Sequence, residues 1–235
     1  MNRARSSLAP LSFVTAVLGI IRKDLLLEWR GRARVNATLF FALVTLLLFS
    51  FAAGPAQAIL AKNAAGYLWL AVLLASTLSL NEAFRVENEN EAIEGLRLLP
   101  VDARAIFLGK AIANTLLLAS LSLVLVPFVV ALYSVSVAGA WSTLCGIFLL
   151  GCAAISAPGT LYAAIANQAR ARDVLLPLLL FPILVPALVG AVRATALVLE
   201  GDPMGEMPSW VALLAAFNLT YWALGVVLFG RVVEP

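Results

Sequence analysis

Asn36 to Gly54 reads NATLFFALVTLLLFSFAAG, with no ionisable side chain in it. A helix crosses the hydrocarbon core of a bilayer with about 20 predominantly apolar residues, so this stretch is long enough to span. Working outward, the pattern repeats. Further apolar runs lie at about 64–80, 111–133, 141–166, 174–192 and 209–230, which makes six predicted spans. Backbone in lipid must satisfy its own N–H and C=O groups, and helices do this within one segment. The composition agrees: 63% of the 235 residues are hydrophobic and 12% are charged, whereas soluble domains carry about 25% charged residues. The predicted fold class is all-α, a polytopic integral membrane protein forming a single transmembrane domain over 1–235.

An even number of spans puts both termini on one face. Of the sixteen Lys and Arg, only Lys62 and Arg193 then fall on the far face. Cytoplasmic loops carry the excess of cations, so the termini are expected to be cytoplasmic, in a bacterial inner membrane. A five- or seven-span chain would break this asymmetry. The cations flank apolar segments and form no single basic surface, which argues against nucleic acid as a partner. Tyr67, Trp69, Tyr133, Trp141 and Trp210 are expected as an aromatic belt at the outer ends of spans, with Trp29 at the inner side. Tyr221 and Trp222 lie inside span six, where they serve ordinary helix packing or face a cavity or a neighbouring subunit.

Before the first span, 13–34 is too charged to cross a membrane. Val14, Val17, Leu18, Ile21, Leu25 and Trp29 recur at helical spacing. They predict an amphipathic helix lying in the headgroup plane, apolar side down. The connection 82–110 is the most charged part of the chain. Within it Ile93, Leu96 and Leu99 step by three residues beside Glu91 and Glu94, and Pro100 stops that helix. Asp102 is placed to cap a second helix that feeds span three. A short helix with an apolar ridge and acidic flank, held between two spans, suits a groove on a soluble partner. Span five holds Pro177, Pro182 and Pro186, which predict kinks and mark a possible cavity lining. Span four is rich in small residues, Gly151 to Gly159, that let helices approach closely.

Catalytic chemistry has little to work with. There is no His, so imidazole cannot ligate a metal or heme, and no metal site is predicted. Cys145 and Cys152 are two turns apart on one helix, about 10.5 Å at 1.5 Å per residue, too far for a disulfide. The phosphate-binding pattern G-x-x-x-x-G-K-[ST] is absent: before Gly109-Lys110, Arg104 stands where the first glycine belongs, and Ala111 replaces the hydroxyl. With the spans placed as above, no ionisable residue falls inside one. The chain is expected not to be an enzyme, and any ATP chemistry belongs to another polypeptide.

Arg22-Lys23-Asp24-Leu25 with Arg30 and Arg32, the run Leu70–Leu80 leading to Glu82 and Phe84-Arg85, and Glu91–Lys110 with Glu94, Leu96, Pro100 and Gly109-Lys110 resemble the CcmB family, heme exporter protein B of cytochrome c maturation. Span five, with Pro177, Pro182 and Pro186, is similar too. The resemblance implies an ABC-2-type permease architecture. It also implies two copies of the chain joined to a CcmA-like ATPase and accompanied by CcmC-like and CcmD-like membrane subunits. Heme or an associated substrate would be moved or released, and ATP would enter through the partner. The connection between spans two and three would contact the ATPase, so Glu91, Glu94, Leu96, Leu99 and Pro100 would carry the coupling. Two other readings share these features: a generic ABC-2-type exporter of a lipid, polysaccharide or drug, and an assembly scaffold that transports nothing.

Overall fold

The computed structural model describes residues 12–54, 56–89, 102–137, 141–166 and 172–233. Seven helices follow one another: α1 (Phe13–Arg30), α2 (Arg32–Ala53), α3 (Gln57–Glu89), α4 (Ala103–Tyr133), α5 (Trp141–Ala166), α6 (Arg172–Glu200) and α7 (Met207–Val233). Among the described residues there is no strand. Six of the helices, all but α1, are long and apolar enough to cross a membrane.

Local chemistry sets the helix ends. Ser12 caps α1, its hydroxyl accepting from the Thr15 N–H. Only Gly31 separates α1 from α2. Gly54 ends α2 at φ 69 and ψ -162, a backbone region essentially reserved to glycine that costs other residues about 1–3 kcal/mol. Asp102 caps α4 by accepting the Arg104 N–H at 2.8 Å, as its position after Pro100 suggested. Asp202 takes two amides before α7, Glu206 N–H at 2.8 Å and Met207 N–H at 3.0 Å.

Three helices run well past the ends that apolarity alone indicates. α3 runs from Gln57 to Glu89, not from 64 to 80, and so takes in the start of the 82–110 connection; α4 begins at Ala103, not near 111; and α6 continues to Glu200, not ending near 192. In each case the extension is a helix turn or more with charged residues on it. Hydropathy marks the lipid boundary, but backbone hydrogen bonding and a cap decide where the helix stops.

α5 is the centre of the bundle and packs against α3, α4, α6 and α7. The small residues predicted to allow close approach do so. The Trp69 ring lies over Gly151, where an added Cβ would come within 2.8 Å of the ring atom Cζ2. Eleven residues along α3, Leu80 fills the equivalent hollow at Gly159, with Cδ1 2.6 Å from where a Cβ would stand. Both helices therefore run in the same direction, as alternate spans must.

Contacts sort into two ends. At one, Phe49 stacks on Tyr67 with centroids 4.8 Å apart, Tyr67 meets Tyr133 edge-on, and Trp69 meets Phe148. At the other, Phe107 packs on Trp222 and Phe229, and Ile20 reaches Gly109. α1 and the last turns of α7 thus share an end, as an even span count requires.

The aromatic belt is corrected in part. Trp69 and Tyr133 are buried, 1% and 0% exposed. The Trp69 indole donates to Thr195 Oγ1 at 2.9 Å and the Tyr133 hydroxyl to the Leu46 carbonyl at 2.7 Å. Both tie helices together inside the bundle, since a buried ring needs a partner for its polar atom. Trp141 and Trp29 are exposed, and Trp210 is half-buried with its indole on Glu206. Tyr221 and Trp222 serve packing: Tyr221 stacks on Phe217, and Trp222 donates to Asn218.

Candidate functional site

The predicted coupling residues Glu91, Glu94, Leu96, Leu99 and Pro100 lie outside the described residues. What the structure describes is the platform they lead into, the first turns of α4. Ala103, Ala105, Phe107, Gly109, Lys110, Ala111, Ala113, Asn114 and Thr115 are all buried, so this part of the helix is enclosed on most sides.

On one side stands α7. Phe107, fully buried, places its ring in the hollow left by Gly225; a Cβ there would come within 2.6 Å of its Cε atoms. Trp222 and Phe229 flank the ring at centroid distances of 6.2 and 5.5 Å. Edge and tilted ring pairs of this kind add about 0.5–1.5 kcal/mol beyond area burial.

On the other side stands α1. Ala16, Ile20, Asp24 and Glu28 follow at four-residue steps, and all four are turned inward: Ala16, Ile20 and Glu28 are buried and the Asp24 side chain is 17% exposed. The apolar stripe predicted for α1 is only partly covered: Val14, Leu18 and Trp29 are 63%, 58% and 81% exposed, while Val17, Ile21 and Leu25 are half-buried. The face of α1 that turns inward carries two carboxylates.

Asp24 has two cationic partners. Lys110 is 3% exposed, and its ammonium lies 3.5 Å from Asp24 Oδ2. Lys23 also reaches Asp24, at 3.3 Å. A helical side chain slants toward the N-terminus of its helix, which carries the Lys110 ammonium back toward the end where α1 lies. The helices thus run past the charge-free apolar stretches and take ionisable residues with them: Lys110 lies inside α4 just ahead of its apolar run, and Arg193, exposed, lies inside α6 just after its own. An apolar window places a charge outside a span when its neighbours are polar, yet a helix can extend past that window and bury the charge against a counter-ion.

Between α1, α2, α3 and α4 opens a cavity of about 120 Å³, with Glu28, Thr38, Ser79 and Ser120 as its polar lining and Leu118 and Leu121 among its apolar walls. Pro177, Pro182 and Pro186 line neither this cavity nor the smaller one beside Phe148 and Thr195. α6 continues as a helix through all three prolines. Pro177 is half-buried, and Pro182 and Pro186 are exposed on the outer surface of the bundle. Cys145 and Cys152 are free thiols, Cys152 buried beside Ser122.

In the sequence Gly109-Lys110 stands out as an incomplete nucleotide-binding pattern and as part of the stretch that resembles the CcmB family, and neither points to a contact with α1. The signal for its structural use was the stripe Ala16, Ile20, Asp24, Glu28, which was outranked by the more apolar stripe beside it.

The protein-family model described as CcmB protein matches residues 15–234. The chain is 33% identical over 207 residues to heme exporter protein B of Rhodobacter capsulatus, covering 87% of this chain and 92% of that protein. It is 33% identical over 204 residues to heme exporter protein B of Pseudomonas aeruginosa, covering 86% and 89%. With heme exporter protein B of Haemophilus influenzae the identity is 32% over 174 residues, 74% and 78% of the two chains. The matched segment takes in α1, where Asp24 stands, the connection before Asp102 and every span through α7, and on that continuous match the chain belongs to the CcmB family.

Proposed function

We propose that this chain is the membrane permease subunit of an ABC-type assembly for heme export in cytochrome c maturation, coupling ATP hydrolysis on a separate CcmA-like ATPase to movement or release of heme or an associated substrate. Family membership and the name shared by its relatives support the substrate class. Two copies of the chain, with CcmC-like and CcmD-like subunits, complete the assembly. It sits in the inner membrane with both termini in the cytoplasm, the orientation favoured by the cation asymmetry.

The observation that carries the reading is mechanical. The connection that holds Glu91, Glu94, Leu96 and Leu99 leads straight into the Asp102 cap of α4, and the next turns are gripped by α1 on one side and α7 on the other. A push on the connection is delivered to three helices at once. A loop anchored in this way transmits force, where a loosely attached one would absorb it.

The test is docking. Leu96→Asp with Leu99→Asp places charge on the apolar ridge and should reduce co-purification of the ATPase at least about ten-fold, since a buried hot-spot residue is worth about 2 kcal/mol or more. Insertion into the membrane should be unchanged. Undiminished co-purification would remove these residues from the coupling surface. Purification of the wild-type chain in mild detergent, with identification of the proteins that accompany it, separates this assembly from a generic exporter.

A further inference from the structure

We propose that α1 and the first turns of α4 form one rigid lever, locked by Ile20 over Gly109 and by Asp24 against Lys110, so that α1 follows α4 and carries its displacement into α2 across Gly31. The inference rests on the permease reading for the origin of the force.

Two interlocks of different kinds meet at adjacent residues of α4. The first is steric. A Cβ on Gly109 would stand 2.7 Å from both Cβ and Cγ2 of Ile20 and 3.3 Å from the Val17 carbonyl oxygen, so the two backbones are as close as glycine allows. The second is ionic. Lys110, 3% exposed, faces Asp24 at 3.5 Å, one helical turn beyond Ile20. Shape fixes the separation of the helices, and the ion pair fixes their register, a use for which buried charges are well suited.

The remaining contacts of α1 favour a unit with α4. α1 packs much more extensively on α4 than on α2, although it is α2 that follows it in the chain. A single residue, Gly31, joins the two helices. Displacement of α4 therefore swings α1 with it and bears on the start of α2.

A sliding contact is the opposing possibility. Glu28 lies one turn beyond Asp24 on the same face, and a helix that ratchets by one turn, about 5.4 Å, would bring Lys110 toward it. Rigid and sliding contacts respond oppositely to a covalent bridge.

The experiment uses the chain in complex with its ATPase in lipid nanodiscs, reading ATP hydrolysis and the amount of ATPase bound. Asp24→Lys or Lys110→Asp alone should lower ATP turnover at least about ten-fold with the ATPase still bound, because either reversal sets two like charges against each other where Lys110 is 3% exposed. The exchanged pair, Asp24→Lys with Lys110→Asp, should recover turnover to within about three-fold. In a chain carrying Cys145→Ala and Cys152→Ala, Asp24→Cys and Lys110→Cys joined by a membrane-permeant bifunctional thiol reagent should hydrolyse ATP at the uncross-linked rate. Failure of the exchange to rescue, or arrest of turnover by the bridge while the ATPase stays bound, overturns the lever. If the wild-type chain binds no ATPase, it is the permease reading that fails. The lock is then judged by thermal unfolding, lowered by either single reversal and restored by the exchange, and it is overturned where the exchange does not restore it.

Discussion

Single residues in this bundle do work that their type alone does not announce. Trp69 has the spacing of an interfacial anchor, yet its indole is bonded to Thr195 in the interior. Lys110 has the look of a loop cation, yet it is buried opposite Asp24. In both cases burial converts a polar atom from a solvent contact into an obligation, because a buried donor without an acceptor costs about 1–3 kcal/mol. Two residues of α5 leave that obligation unmet: Ser156 Oγ and Thr160 Oγ1 are buried with no hydrogen-bond partner among the described residues. Replacing both with apolar residues of similar shape, Ser156→Ala with Thr160→Val, should leave stability unchanged or raise it by about 1 kcal/mol, read as the thermal midpoint in detergent. A clear fall in the midpoint would show that these hydroxyls have a partner in the membrane.

The helix is the scale at which sequence reading was strongest and also where it erred. Each of the six long helices overlaps an apolar run, since a stretch too apolar for water and long enough for lipid has few alternatives. The ends were less legible. Span three begins at Ala103 because Asp102 caps it, and the residues between the cap and the lipid-facing run include Arg104 and Lys110, which lower the local hydropathy. Asp102→Ala should cost about 1 kcal/mol of local stability, seen as faster hydrogen exchange of the amides from Arg104 through the first turn. Asp102→Asn, which retains a capping oxygen, should exchange at nearly the native rate. Equal protection in Asp102→Ala would mean that the cap contributes nothing to holding the start of α4. Helix α1 shows why a face is harder to read than a period: the stripe through Val14 and Leu18 is the more apolar, yet the stripe through Ile20 and Asp24 is the one that packs.

At the scale of the whole molecule, alternation of the spans is the property on which orientation depends. The packing pairs agree with it, with Trp69 over Gly151 toward one end and Leu80 over Gly159 toward the other. With both native cysteines replaced, Lys62→Cys should react with an impermeant thiol reagent from one side of the membrane and Arg231→Cys from the opposite side; reaction of both from the same side would break the six-span arrangement. Lipid as solvent, the class of fold and six apolar crossings were legible from the residues alone, because length, apolarity and the placement of cations are sums over many residues and tolerate local error; the family was legible from a run of matching residues. Packing was needed to show which face of each helix is covered, that Lys110 belongs to the interior, and that α1 and α7 clamp the entry to α4. Those outcomes turn on contacts between residues far apart in the chain, such as Asp24 with Lys110 and Phe107 with Gly225, and the periodicity of a single helix carries no information about its neighbour.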